Sequence, residues 1–367
     1  MPVGPFPASR VWLLAAALSA PPAHADPPGP PEDSGGSTRP SNLLNPAISV
    51  NALLLGAWRQ SEGSEDPLAG PPTGVSLSEA ELIFSATVDP YLKADVIAAL
   101  SDRRGEGEGH AADIEEAYVT ALRLPRGLGL RAGKMLLPFG RHNLLHAHAF
   151  PFIQAPLAAE AVFGEEGLNE PGIELSWLLP SRWYSQLSVD VVDGRNHELF
   201  AGSRPEALAY LAHWKNLWDL GESATFEAGG SFLYGKSDEA LDAASRVSGL
   251  NLTYKYRPAR RSVYRALEAQ VELLRRDRDA DALDGGYAHL RWQAARRWWL
   301  QGRYDWVDRQ GSARIEHRES ALVAFAPSEF SAIRLEYASR RPETGERDHQ
   351  VLVQLNYSIG PHPAHVY

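Results

Sequence analysis

The chain has 367 residues, a formal net charge of −10 and no cysteine. The acidic balance, with basic residues scattered among acidic ones, argues against a nucleic-acid partner. The missing thiols exclude disulfide staples, thiolate metal sites and cysteine nucleophiles, while 10 Trp and 13 Tyr are many for this length.

The first element is an address. Arg10 puts positive charge ahead of the apolar run Val11–Ala20, and Ala23-His24-Ala25 is a small-residue cleavage motif. Residues 1–25 therefore read as a secretory signal, cleaved near Ala25. The run is too short to cross a bilayer as a helix, and no other segment approaches it. Residues 26–44, rich in Pro, Gly and Ser, read as a flexible leader.

Over residues 45–367 one unit recurs: alternating apolar and polar residues, then a connection. Alternation means a strand with one apolar and one polar face. The first strand is expected over Ala47–Trp58, before a polar loop at 59–74. The second, Val75–Val88, sets Leu82, Phe84 and Ala86 against Glu79 and Glu81. The third sets Leu92, Ala94, Val96 and Leu100 outward and Lys93 and Asp95 inward. After the charged loop 101–113, the fourth sets Ala117 and Val119 against Glu116 and Tyr118, and Pro125-Arg126-Gly127 turns it into the fifth, Leu128–Met135. Beyond a long connection the rhythm resumes, with strands expected at 173–179, 183–192, 208–215, 224–234, 250–256, 263–274, 287–292, 299–306, 320–325, 333–337 and 350–357.

Long and short connections alternate. Short turns belong to the periplasmic side and long loops to the cell exterior. The fold expected is all-β, a transmembrane antiparallel up-and-down β-barrel of about 16 strands in the Gram-negative outer membrane. A soluble sandwich or propeller would also alternate. However, strands joined only to their neighbours close most simply as a barrel, and one polar face fits a water-filled lumen. The lumen would be lined by Glu79, Glu81, Lys93, Asp95, Arg131, Arg303, Asp305, Arg334 and Glu336, a mixture leaning acidic and so towards cations or neutral solutes.

The longest connection, 139–171, is the third outward loop. Phe150, Phe152, Ile153, Leu157, Val162 and Phe163 are too apolar for a loop in water, so it is expected to fold inward and narrow the pore, or to cover it as a lid or subunit contact. It opens with His142, His146 and His148. Neutral imidazole is a frequent zinc ligand, and a weak transit site completed by Glu160, Glu165 or Glu166 is one expectation; a merely polar rim is the other. The tail at 360–367 carries His362 and His365, a second and weaker metal candidate, expected on the periplasmic side. Its prolines oppose strand pairing, and it ends in an aromatic residue, as barrels read by the assembly machinery do.

Leu44-Asn45-Pro46-Ala47-Ile48-Ser49-Val50, Pro327-Ser328-Glu329-Phe330-Ser331, Ile333-Arg334-Leu335-Glu336-Tyr337 and the Gly-x-His-x-Ala-His ending resemble those of an uncharacterised Gram-negative outer-membrane porin-like family. The resemblance implies a porin-like barrel, and its members occur in metal, particularly zinc, uptake contexts.

A passive channel for small hydrophilic solutes or ions, divalent metal such as zinc included, fits these features. It needs no cofactor; Zn2+ would be a transported or weakly bound ion. A barrel enzyme of the lipase or protease kind would need a nucleophile–base constellation, and no G-x-S-x-G motif occurs. A non-conducting structural or binding barrel stays open as an alternative. A plugged 22-strand receptor would need a longer chain. Expected partners are outer-membrane lipid, the barrel assembly machinery, small solutes or metal ions, and further copies of the chain if it forms a homotrimer.

Overall fold

The computed structural model describes residues 46–61, 66–102, 110–202, 207–237, 243–258, 265–278 and 281–360. The signal and leader expected over residues 1–44, and the tail histidines His362 and His365, lie outside the described residues. The strands are β1 (Ala47–Arg59), β2 (Gly74–Thr87), β3 (Leu92–Asp102), β4 (His110–Ala121), β5 (Leu128–Leu136), β6 (Asn169–Leu178), β7 (Tyr184–Val192) and β8 (Ala209–Asp219). They continue as β9 (Ala224–Lys236), β10 (Ala244–Tyr256), β11 (Leu267–Arg278), β12 (Asp281–Ala295), β13 (Trp298–Arg309), β14 (Glu316–Ser328), β15 (Ser331–Arg341) and β16 (Asp348–Ile359). One short helix, α1 (Leu157–Phe163), lies in the third outward loop.

Each strand pairs antiparallel with its neighbours in sequence, and β1 pairs with β16 from Val50↔Ile359 to Arg59↔Gln350. The sheet is thereby closed, with no free edge to satisfy, which is what a strand structure in hydrocarbon requires. Val353, Leu355, Ile333, Leu335 and Tyr337 are exposed on the outer face, whereas Leu352, Gln354 and Glu336 are buried inside. Aromatic side chains gather near the strand ends. Trp183, Trp218 and Phe226 stack in series at 6.2 and 5.8 Å, and Trp298 meets Phe325 at 4.8 Å. Such amphipathic rings suit the membrane–water boundary.

Several strands run further outward than alternation indicates. β10 starts at Ala244 rather than 250, β12 at Asp281 rather than 287, and β15 reaches Arg341 rather than 337. There the outer face turns polar: Arg275 pairs with Asp284 at 3.2 Å and Arg347 with Glu319 at 3.3 Å. Beyond the hydrocarbon an outward residue has no reason to be apolar, so the pattern fades while the hydrogen-bond ladder continues.

The interior is not uniformly polar, and here the structure corrects the expectation of a polar, water-filled lumen. Towards the outer mouth Val192, Leu211, Leu233, Val247, Leu274, Leu283 and Val307 point inward and are buried together with Phe139 and the α1 residues Leu157, Val162 and Phe163. The loop brings apolar side chains into the barrel, and the wall supplies them with an apolar partner.

Candidate functional site

The third loop enters the barrel. It turns in at Gly140, whose φ is +62°. Any Cβ there would overlap the Glu272 carboxylate, so glycine lets the backbone pass close enough for Arg141 and His142 N–H to donate to Glu272 at 3.3–3.4 Å. Asn143 ties the neck of the loop. Its Nδ2 donates to the carbonyls of Leu137 (2.9 Å) and Leu168 (3.0 Å), and its Oδ1 accepts from Leu168 N–H at 2.7 Å.

From there the loop runs along the inner wall, and charged wall side chains satisfy its backbone. Arg334 Nη1 donates to Phe150 O at 2.6 Å, and Ile153 N–H donates to Glu336 Oε2 at 2.6 Å. Arg303 Nη1 donates to Gln154 O at 2.8 Å, Arg318 to Ala155 O, and Leu157 N–H donates to Asp305 Oδ1 at 3.3 Å. Irregular backbone out of water needs such partners. Asp305 in turn pairs with Arg303 at 2.8 Å and Arg318 at 3.4 Å, and the Arg303 guanidinium lies 4.5 Å over the Phe152 ring. α1 then packs against β11, β12 and β13.

On the other side of the lumen the loop meets an acidic wall. His146 Nδ1 hydrogen-bonds Glu115 Oε2 at 3.1 Å, and its Nε2 hydrogen-bonds Glu116 Oε2 at 3.0 Å. His148 Nδ1 lies 2.8 and 2.9 Å from the two oxygens of Glu81, and the two imidazoles stack at 6.0 Å. Adjacent residues on a strand ordinarily face opposite ways. Glu115 and Glu116 both reach His146 because β4 carries a bulge: Ile97 pairs with Glu116 and Ala98 with Ile114, which leaves Glu115 as the extra residue. Burial opposes charge on His146, but the hydrogen bonds it donates to Glu115 and Glu116, with Glu81 beyond them, outweigh it and hold its pKa well above the usual imidazole value.

The histidine trio does not converge. His146 and His148 share the acidic wall, but the His142 ring packs on Phe150 at 4.4 Å and on Tyr287 of β12 at 6.3 Å. Burial, with Arg303 and His289 nearby, pushes its pKa down to about 3. The short helical turn at His142–Leu144 swings the chain between the two sides. Glu160 lies apart as well. It faces Arg303, Asp305, Arg318 and Glu165, and burial, against the pull of the two arginines, raises its pKa to about 7. The carboxylates beside His146 come instead from the wall: Glu81, Glu115 and Glu116.

The remaining charged candidates also sit on the inner face. Glu79 lies beside Glu81. Lys93 pairs with Asp95 at 2.8 Å, and Arg131 pairs with Glu174. Arg303, Asp305, Arg334 and Glu336 are buried against the loop rather than open to water. Glu115 escapes strict alternation, which sends it outward. The Glu-Glu pair at 115–116, polar on both faces of a membrane strand, is the one signal in the sequence for the bulge.

A closed barrel of 16 strands, apolar outside and charged within, with its third loop folded into the lumen, has the architecture of the outer-membrane porins. Solved structures share the barrel fold. OprB of Pseudomonas putida superposes with a TM-score of 0.60 at 8% identity, covering 86% of this chain and 94% of that one. An anion-selective porin from Comamonas acidovorans gives 0.58 at 11% identity, covering 86% and 100%. The outer-membrane channel DcaP of Acinetobacter baumannii gives 0.57 at 13%, covering 86% and 96%. At these identities the likeness is one of fold. An uncharacterised protein of Aquifex aeolicus is 28% identical over 342 residues, covering 80% of this chain and 70% of its own length. No family model matches the chain.

Proposed function

We propose that the protein is a porin-like channel of the outer membrane that passes small hydrophilic solutes and ions, divalent metal ions among them. The observation that supports this most is the way the third loop is held. A non-conducting barrel needs only a filled interior, whereas here charged side chains from β11 to β15 hold a long loop against the wall by its backbone. A loop held in this way narrows a lumen and can also shift within it. The acidic side chains Glu79, Glu81, Asp95, Glu115 and Glu116 on β2, β3 and β4 favour cations along that side. A trimer form of Vibrio cholerae OmpT is among the similar structures, and a homotrimer is the assembly proposed here.

The test is planar-bilayer recording on the purified, folded protein, with reversal potentials under a salt gradient and with zinc added. Steady single-channel steps with cation preference are expected. A correctly folded barrel that passes no current across a range of voltages would refute the channel in favour of a closed binding barrel. Lipase or protease turnover by the same preparation would point to an enzyme.

A further inference from the structure

The geometry points to a divalent-cation site at the acidic wall, in which His146 Nδ1 and the carboxylates of Glu81 and Glu115 hold the ion. Glu116 and His148 fix those ligands in place. One ligand atom from each of Glu81, Glu115 and His146 lies within 4.8 Å of the others, close enough for one ion to draw them in. Nδ1 of His146 is 3.1 Å from Glu115 and 4.0 Å from Glu81.

The supporting contacts are those a metal-bound histidine uses. Glu116 accepts from Nε2 at 3.0 Å, which fixes the ring's orientation and directs Nδ1 towards the ion. His148 lies 2.8 Å from Glu81 and holds that carboxylate from the far side. Without an ion, the Nδ1 proton bridges to Glu115. On binding, the ion takes the place of that proton, which leaves to solvent; the bridge to Glu115 gives way to metal–ligand bonds, and the site gains one positive charge, which its carboxylates offset.

Charge and access fit a dication in transit. Glu81, Glu115 and Glu116 gather round His146, with His148 beyond Glu81, and three carboxylates packed this closely favour a further cation between them. His146 and Glu81 side chains are 4% and 1% exposed, but that of Glu115 is 26% exposed, so the ion approaches and leaves on the Glu115 side. One nitrogen and two oxygens suit zinc, cobalt or manganese. Calcium needs about six to eight oxygens. With three protein ligands, a coordination position is left for water, as exchangeable rather than structural sites have.

The site rests on the channel reading only for the claim that the ion passes on; binding stands by itself. The experiment is calorimetric titration of the untagged full-length barrel in detergent with zinc chloride alone, at neutral pH, followed by bilayer recording of the same preparation. One saturable site is expected. Glu115→Gln and His146→Gln should weaken it at least tenfold, and Glu116→Gln by about 10- to 100-fold. His142→Gln and the double change His362→Gln, His365→Gln should leave it intact. Heat-dependent mobility on a denaturing gel checks that each variant has closed its barrel. If His146→Gln does not close, the partly exposed Glu115→Gln decides. No zinc heat from the wild type, or equal affinity in Glu115→Gln, would overturn the site. A barrel that binds zinc but passes no current would keep the site and refute the channel; one that conducts without binding would do the reverse.

Discussion

Replacing Leu157 by Ala tests whether packing holds the third loop in the lumen. Leu157 opens α1 and is completely buried, in one cluster with Val162, Phe163 and the wall residues Leu274, Leu283 and Val307. Truncating a buried leucine costs about 2–5 kcal/mol, from lost transfer energy and the cavity left behind. None of that cost falls on a strand ladder, because Leu157 belongs to none. It falls on the docked loop. At 1.4 kcal/mol per factor of ten, the balance between docked and released loop shifts by about 30-fold to a few thousand-fold. Amide exchange over residues 150–165, followed by mass spectrometry on the folded barrel, should accelerate by that factor, and channel conductance should rise or become noisier. The melting of the barrel itself should hardly move. Unchanged exchange together with unchanged conductance would refute the account.

Glu160 gives the loop a pH dependence. Its folded pKa of about 7 lies above the ordinary carboxyl value of 4.5. The docked loop therefore favours the protonated acid: its stabilisation is complete below about 4.5 and is lost as pH rises through about 7. The groups facing it are Arg303 and Asp305 of β13, Arg318 of β14 and Glu165 of its own loop. Exchange in α1, corrected for its intrinsic pH dependence, should quicken between about pH 4.5 and 7 and level off above, and Glu160→Gln should flatten the profile; an identical slope in that variant would be decisive against it. On the outer face, Val353 is 47% exposed opposite Gly56, and arginine there should cost about 2–4 kcal/mol near the bilayer midplane. Less heat-resistant barrel in membranes is the expected result, and normal assembly would show that this face does not meet lipid.

Much of the fold is legible in the sequence because a membrane barrel writes its two faces at a period of two residues. Leu82, Phe84 and Ala86 against Glu79 and Glu81 give both the strand and its orientation. The pattern fails where the physics changes. Beyond the hydrocarbon, Arg275 and Glu319 can face outward at no cost, so the strand ends pass unseen. The loop's inward course is legible from Phe152, Leu157 and Phe163, which have nowhere else to go. The apolar collar that receives them is not, because a lone Leu211 or Val247 pointing inward only weakens the alternation of its own strand. The site is legible by halves. His146 and His148 stand out by spacing, but their carboxylates lie 30 or more residues away and Glu115 turns inward only through a bulge. His142 misleads because a single helical turn separates it from the other two.

The loop's attachments reach β2 and β4 through His148 and His146, β11 through Glu272, β13 through Asp305 and β15 through Glu336. In a cylinder of sixteen staves such a member is a tie across the diameter. A hollow barrel resists flattening only through the stiffness of its hoop, but this one must also stretch or shed those internal ties to become oval. The cross-section is thus set by a segment that forms no part of the hoop. Lateral pressure from lipid or a neighbouring protein is felt at His146, on the far side of the lumen from the strands it presses upon.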